Sequence, residues 1–184
     1  MKKVVLLGDS IRLGYGKVVE EKLGDEFTLW QPKDNCRFAA YTLRGIYDWR
    51  ANIDDSDVIH WNNGHWDICD LFGDGAFTSV EDYVALMVRV AKLLQARCKV
   101  LIFATTTPVR NNYIDHNNQD IEKYNQALVP ELEKLGVVIN DLYTPVHADV
   151  DRYICDDLIH LSSEGIAMCA ELVASTIRRE AEKL

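Results

Sequence analysis

The sequence predicts a three-layer α/β/α domain built on a five-stranded parallel sheet. Two observations carry that expectation. Short apolar, β-branched runs alternate with longer segments of helical period, the pattern of a sheet covered by helices on both faces. No repeat, low-complexity tract or linker interrupts the alternation, so residues 1–184 read as one domain. A chain of 184 residues buries roughly 70% of the surface its unfolded form exposes, enough for a core that needs no staples.

The first strand is KVVLLG at 3–8, an apolar run that stops at Gly8-Asp9-Ser10. FTLWQ at 27–31, DVIHWN at 57–62, KVLIFATT at 99–106 and VVINDL at 137–142 supply the other four. Between them Tyr83, Met87, Val90 and Leu94 recur every three or four residues, as do Ile121, Tyr124, Leu128, Leu132 and Leu135, so both segments predict amphipathic helices. A last helix follows Ser162-Ser163-Glu164, with Ile166, Cys169, Ala170, Val173 and Ile177 on one face. In open parallel sheets ligands gather outside the carboxyl ends of the strands. Function is therefore expected in the loops that follow them, at 8–16, 31–42, 62–77, 105–119 and 149–163.

The balance of 29 acidic against 20 basic side chains, a formal charge of −9, repels phosphate backbones and anionic headgroups. Neither nucleic acid nor a membrane surface is an expected partner. The apolar run after the two N-terminal lysines is too short for a signal peptide or a membrane span, and the chain reads as cytoplasmic. Five widely spaced cysteines without a CxxC pair fit reduced packing thiols rather than disulfides or a zinc site, and no metal ligand set is visible.

The glycine-rich GDSIRLGYGK after the first strand has neither the GxxxxGK[ST] order nor GxGxxG, which counts against a phosphate loop. Ser10 has two remaining readings. It caps the next helix, as serine often does, or its hydroxyl is a nucleophile, which needs a base and a group to orient the base. Of the five histidines, His60 sits within a strand pattern and reads as structural, while His116 and His147 have no suggestive carboxylate partner. His160, in CDDLIHLSSEG just before the last helix, has Asp157 three residues upstream. On a helical turn those two positions share a face, leaving one ring nitrogen for Asp157 and the other for a serine proton.

Together, GDS after the first strand and DxxH before the last helix, in a chain of this length and strand pattern, resemble the SGNH (GDSL) hydrolases. The resemblance spans nearly the whole chain. It implies a flavodoxin-like fold with Ser10 as nucleophile, His160 as general base and then acid, and Asp157 as its orienting carboxylate. It further implies a loop-holding role for Asp9 and no cofactor. Asp156 is a spare carboxylate. The family's third block usually reads GxND, its asparagine donating to the oxyanion. Here Asn62-Asn63-Gly64-His65-Trp66-Asp67 puts Trp66 at that position, and Asn63 is the better donor by chemistry, with Asn62 behind it. The second block's backbone donor falls near Cys36, since Gly45 lies too far into the next helix.

The implied reaction is hydrolysis of a small-molecule acyl ester through an acyl-enzyme, with oxyanion donors from Ser10, Cys36 and Asn63 and with Trp66 in the substrate site. Trp61, Trp66, Phe72, Tyr113, Asn111, Asn112 and Arg110 stand in the loops. Their mixture of aromatic faces and polar groups suits a short acyl group, acetyl foremost, on a carbohydrate alcohol; turn-making asparagines and core Trp61 and Phe72 are the plainer reading. A non-catalytic small-molecule or carbohydrate-binding module on the same scaffold, acyl transfer to an alcohol, and a flavin or nucleotide holder are the alternatives. The oligomeric state is left open.

Overall fold

The computed structural model describes residues 1–184. In chain order the elements are β1 (Lys2–Leu7), α1 (Ser10–Leu23), a 3₁₀ turn (Gly24–Glu26), β2 (Phe27–Trp30), α2 (Ala39–Asp48), α3 (Arg50–Ile53) and β3 (Ser56–Trp61). There follow α4 (His65–Ile68), α5 (Val80–Gln95), β4 (Cys98–Ala104), α6 (Asn118–Lys134), β5 (Val138–Asn140), α7 (Tyr143–His147), α8 (Val150–Tyr153) and α9 (Ser163–Ala181). All strand pairs are parallel, in the order β2-β1-β3-β4-β5. That is the flavodoxin-like order, whose switch point lies between β1 and β3. Each of the five expected strands is present. The fifth is shorter than its apolar run because the chain turns at Asp141-Leu142, where the Thr105 hydroxyl accepts the N–H groups of Leu142 and Tyr143 at 2.9 Å each.

Period-two alternation along the strands divides the core into two layers. Val4, Leu6, Val58 and Ile102 face α1 and α9, meeting Ile11, Tyr15, Val19, Cys169, Val173 and Ile177. Val5, Leu7, Ile59, Trp61, Leu101 and Phe103 face the other way, onto Ile46 of α2, Met87 and Leu94 of α5, and Leu128 of α6. Trp61 and Phe103 pack edge to face with centroids 4.9 Å apart. The helical stripes expected at 83–94 and 121–135 are the buried faces of α5 and α6, with Leu135 at the end of the second only partly buried. No helix is long and apolar enough to cross a membrane.

Candidate active site

Ser10 stands where β1 ends, at the switch point of the sheet. The apolar run stops at Gly8 for a steric reason: a Cβ there would fall 1.9 Å from Asn62 Oδ1 and 2.8 Å from Arg12 Cβ. The helix cap is Asp9, not Ser10. Asp9 Oδ1 accepts the N–H of Ile11 at 3.0 Å and the Nδ2–H of Asn62 at 2.8 Å, so the serine hydroxyl is released from capping duty. Burial pushes the Asp9 carboxyl up, against those hydrogen bonds and the nearby Arg12. In the first turn of α1, Ser10 also presents a main-chain N–H that has no intrahelical acceptor.

His160 Nε2 lies 2.9 Å from Ser10 Oγ, 150 residues away in sequence, and His160 Nδ1 lies 2.7 Å from Asp157 Oδ2. The other carboxylate oxygen, Oδ1, accepts the main-chain N–H groups of His160 at 2.9 Å and Ile159 at 3.1 Å. Partial burial alone would raise the Asp157 carboxyl. It is outweighed by the His160 N–H, the Cys155 thiol, the His160 ring and the Ile159 N–H, which hold it well below the usual carboxylate range. The three-residue spacing works differently from the helical turn expected. Residues 154–161 form a tight loop closed by an antiparallel bridge between Ile154 and Leu161, with Leu158 in the left-handed region at φ +73°. Aspartate, histidine and the two backbone donors meet through the carboxylate itself. Asp156 is spent on Arg110, at 3.1 Å, which also pairs with Asp151 at 3.0 Å.

Two of the expected oxyanion donors are corrected. The Cys36 N–H donates to the Gly8 carbonyl at 3.0 Å, and Cys36 Sγ accepts the Gly8 N–H at 3.2 Å. That pair of bonds laces the β2 loop to the loop that carries Ser10 and consumes the N–H. Burial also pushes the Cys36 thiol up, so it is a protonated packing group. Asn63 is fully buried, with Trp61 Nε1–H and the Thr42 hydroxyl donating to its Oδ1 at 2.7 and 2.9 Å and its Nδ2 donating to the Arg37 carbonyl at 2.7 Å. It braces the loop and does not line the cleft. Asn62 is held by Asp9, and Gly45 lies inside α2 under the Trp49 ring.

A cleft of about 370 Å³ opens beside Ser10 and His160, walled by Trp66, Leu71, Tyr113 and Ile159 with Asn35 and His65 among its polar members. Trp66 is 41% exposed, and the Arg37 guanidinium sits 6.0 Å from the centre of its ring. Trp61 is core, whereas Phe72 is 81% exposed, outside both core and cleft; Asn111 and Asn112 also lie outside it. An adjoining groove of about 640 Å³ shares Tyr113, Asp115 and His116 with the cleft and carries Asp70, Asp74, Glu81 and Asp120.

Several contributors carried no motif that a sequence reading could use. His65 shares its Nε2 with the Thr107 hydroxyl at 3.1 Å, and His116 Nε2–H donates to the His65 carbonyl at 2.8 Å. Burial first, and then the neighbouring histidines, hold His65 well below the ordinary imidazole range. Arg12 is fully buried in α1 and donates to the carbonyls of Gly8, Pro32 and Asp34 at 3.0, 3.0 and 2.7 Å, clamping the two loops together. Its position in GDSIR gives only the helical spacing, while its acceptors come from a distant loop.

No protein-family model and no curated protein matches the chain in sequence. Solved structures do match in shape. The acetyl xylan esterase AlAXEase superposes with a TM-score of 0.80 at 18% identity, over 95% of this chain and 99% of that one. A lipase/acylhydrolase from Enterococcus faecalis gives 0.77 at 15% identity, over 96% and 95% of the two chains. A GDSL-like lipase from Bacteroides thetaiotaomicron gives 0.76 at 17% identity, over 97% and 88%. The chain therefore has the α/β/α fold of the GDSL/SGNH-type hydrolases. At the carboxyl edge of its sheet stands a hydrogen-bonded Ser-His-Asp constellation.

Proposed function

We propose that this protein is a serine esterase of the SGNH type that hydrolyses short-chain acyl esters, acetyl esters of a carbohydrate foremost. One observation carries the reading: the unbroken chain from Ser10 Oγ through His160 to Asp157, at 2.9 and 2.7 Å. A merely structural serine has no need of a base that is itself oriented by a carboxylate. In the proposed reaction Ser10 Oγ attacks the ester carbonyl carbon as His160 Nε2 takes its proton. The carbonyl π pair moves to the oxygen, facing the Ser10 N–H in the first turn of α1. Collapse expels the alcohol, protonated by His160, and leaves an acyl-Ser10. Water, deprotonated by the same nitrogen, then adds to the acyl carbon, and collapse breaks the Ser10 Oγ–carbon bond as His160 returns the proton to Oγ, releasing the acid.

Substrate size and polarity follow from the surroundings. The cleft of about 370 Å³ with Trp66 and Leu71 in its wall suits a short acyl group against apolar surface. The adjoining groove offers carboxylate acceptors to the hydroxyls of a sugar and repels an anionic alcohol. Purified protein is expected to hydrolyse 4-nitrophenyl acetate and acetylated xylo-oligosaccharides, and both activities are expected to vanish in Ser10→Ala and His160→Ala. Turnover that survives in either variant, or no turnover of any short-chain ester by the folded wild type, would sink the proposal; the second result would favour a binding module.

A further inference from the structure

With Cys36 and Asn63 engaged elsewhere, the oxyanion would face a single donor, the Ser10 N–H. The β2 loop holds another. Asn35 lines the cleft with Ser10 and His160. Its Oδ1 accepts the main-chain N–H of Arg37 at 2.7 Å, and because only the amide oxygen can accept from an N–H, that bond fixes which end of the side chain is nitrogen. Asn35 Nδ2 then makes no hydrogen bond within the protein, and neither does the Asn35 main-chain N–H.

The segment is pinned on both sides. The Asp34 carbonyl accepts from Arg12 at 2.7 Å, the Cys36 N–H is tied to Gly8 at 3.0 Å, and the Arg37 carbonyl accepts from the buried Asn63 at 2.7 Å. Arg37 itself is held in the left-handed region at φ +48°, a conformation that costs free energy in a residue other than glycine and is sustained by these bonds. A donor fixed this way needs no reorganisation when negative charge develops, which is what makes such groups effective. The wall also holds the unpartnered Asn35 main-chain N–H, Tyr113 hydroxyl and Trp66 indole N–H; Trp66 is 41% exposed and its ring carries the Arg37 guanidinium. Water competes for a donor in that position.

We propose that Asn35 is a catalytic residue, whose Nδ2–H joins the Ser10 N–H in binding the oxygen of the tetrahedral intermediate. This rests on the serine-esterase reading of Ser10. As the Ser10 Oγ–carbon bond forms and the proton passes to His160 Nε2, the carbonyl π pair becomes an oxygen lone pair, and the Asn35 amide donates to it. The amide donor that the chain lacks after β3, where Trp66 stands, is supplied from the loop after β2.

The test separates donor from scaffold. Asn35→Asp and Asn35→Ser each keep an oxygen that can accept the Arg37 N–H and lose the amide donor, and the serine variant adds no charge. Both are expected to lose kcat on 4-nitrophenyl acetate by about 10²–10³-fold, with KM within about threefold and the melting temperature unchanged. Trp66→Phe, which keeps the ring and removes the indole N–H, is expected to lose less kcat than either Asn35 variant. A folded Asn35→Ser retaining more than a tenth of wild-type kcat would overturn the assignment, as would a Trp66→Phe loss equal to that expected for Asn35. If wild type hydrolyses the ester and Ser10→Ala does not, those outcomes reject Asn35 alone. A folded wild type with no activity rejects the esterase reading and this assignment together.

Discussion

Replacing Asp157 by asparagine tests how much the His160 orientation is worth. Asp157 Oδ1 is held by the two backbone N–H groups of Ile159 and His160 at 3.1 and 2.9 Å. In Asp157→Asn the oxygen must stay there, so the new NH₂ group replaces Oδ2 opposite His160 Nδ1. That nitrogen becomes the acceptor, and the ring proton moves to Nε2, 2.9 Å from Ser10 Oγ. A nitrogen already carrying its proton cannot take the one from serine. In a fully enclosed triad the wrong tautomer lowers kcat by about 10⁴-fold, about 5 kcal/mol. Here the Asp157 and His160 side chains are 49% and 45% exposed, and water stabilises either tautomer, which reduces the expectation to about 10²–10³-fold. The assay is kcat/KM on 4-nitrophenyl acetate alongside the melting temperature, with ¹⁵N chemical shifts of the His160 ring reporting the tautomer. A loss below tenfold in a variant whose ring has changed tautomer would refute the reasoning. Asp157→Ala should be less stable as well, because it also frees the two backbone donors.

Three further outcomes follow from buried polar groups. Asp67, which accepts from the Ala39 N–H and the Thr78 hydroxyl, is pushed by burial up to about 6. Its native form holds a proton longer than the unfolded chain, so it contributes about 3 kcal/mol less stability as pH rises from about 4 to about 6. A ¹³C titration midpoint below 4.5 would refute this. His60, in contact with Asn140 at 3.1 Å, is held by burial down to about 3. The unfolded chain then binds protons first, and stability falls as pH drops from about 6.5 toward 3, by up to about 5 kcal/mol. Urea unfolding of wild type and His60→Gln at pH 7 and pH 4 checks it, the variant being expected to lose much less. Arg12→Met strands the carbonyls of Pro32 and Asp34 and should cost about 2–5 kcal/mol. It should also lower kcat by loosening the loop that carries Asn35, and a melting temperature within 2 °C of wild type would count against the clamp.

The strands and the layers were legible because each is a local pattern. Val4 and Leu6 point one way and Val5 and Leu7 the other whatever the rest of the chain does. The triad was legible in part for the same reason, since Asp157 and His160 are three residues apart, although a carboxylate-capped loop rather than a helix brings them together. Whether Ser10 caps α1 was decided only by the tertiary structure, where Asp9 takes the capping bond. Beyond the Ser10 N–H, the oxyanion donors were not legible. Whether an N–H is free depends on every acceptor near it, and those of Cys36 and Asn63 are Gly8 and Arg37, brought close by two different crossovers of the sheet. The sequence by itself determined the period of each element and named the serine, histidine and carboxylate on which the proposed reaction rests. The tertiary structure alone decided which donors remained unspent, because hydrogen-bond competition is settled by three-dimensional neighbours and not by position along the chain.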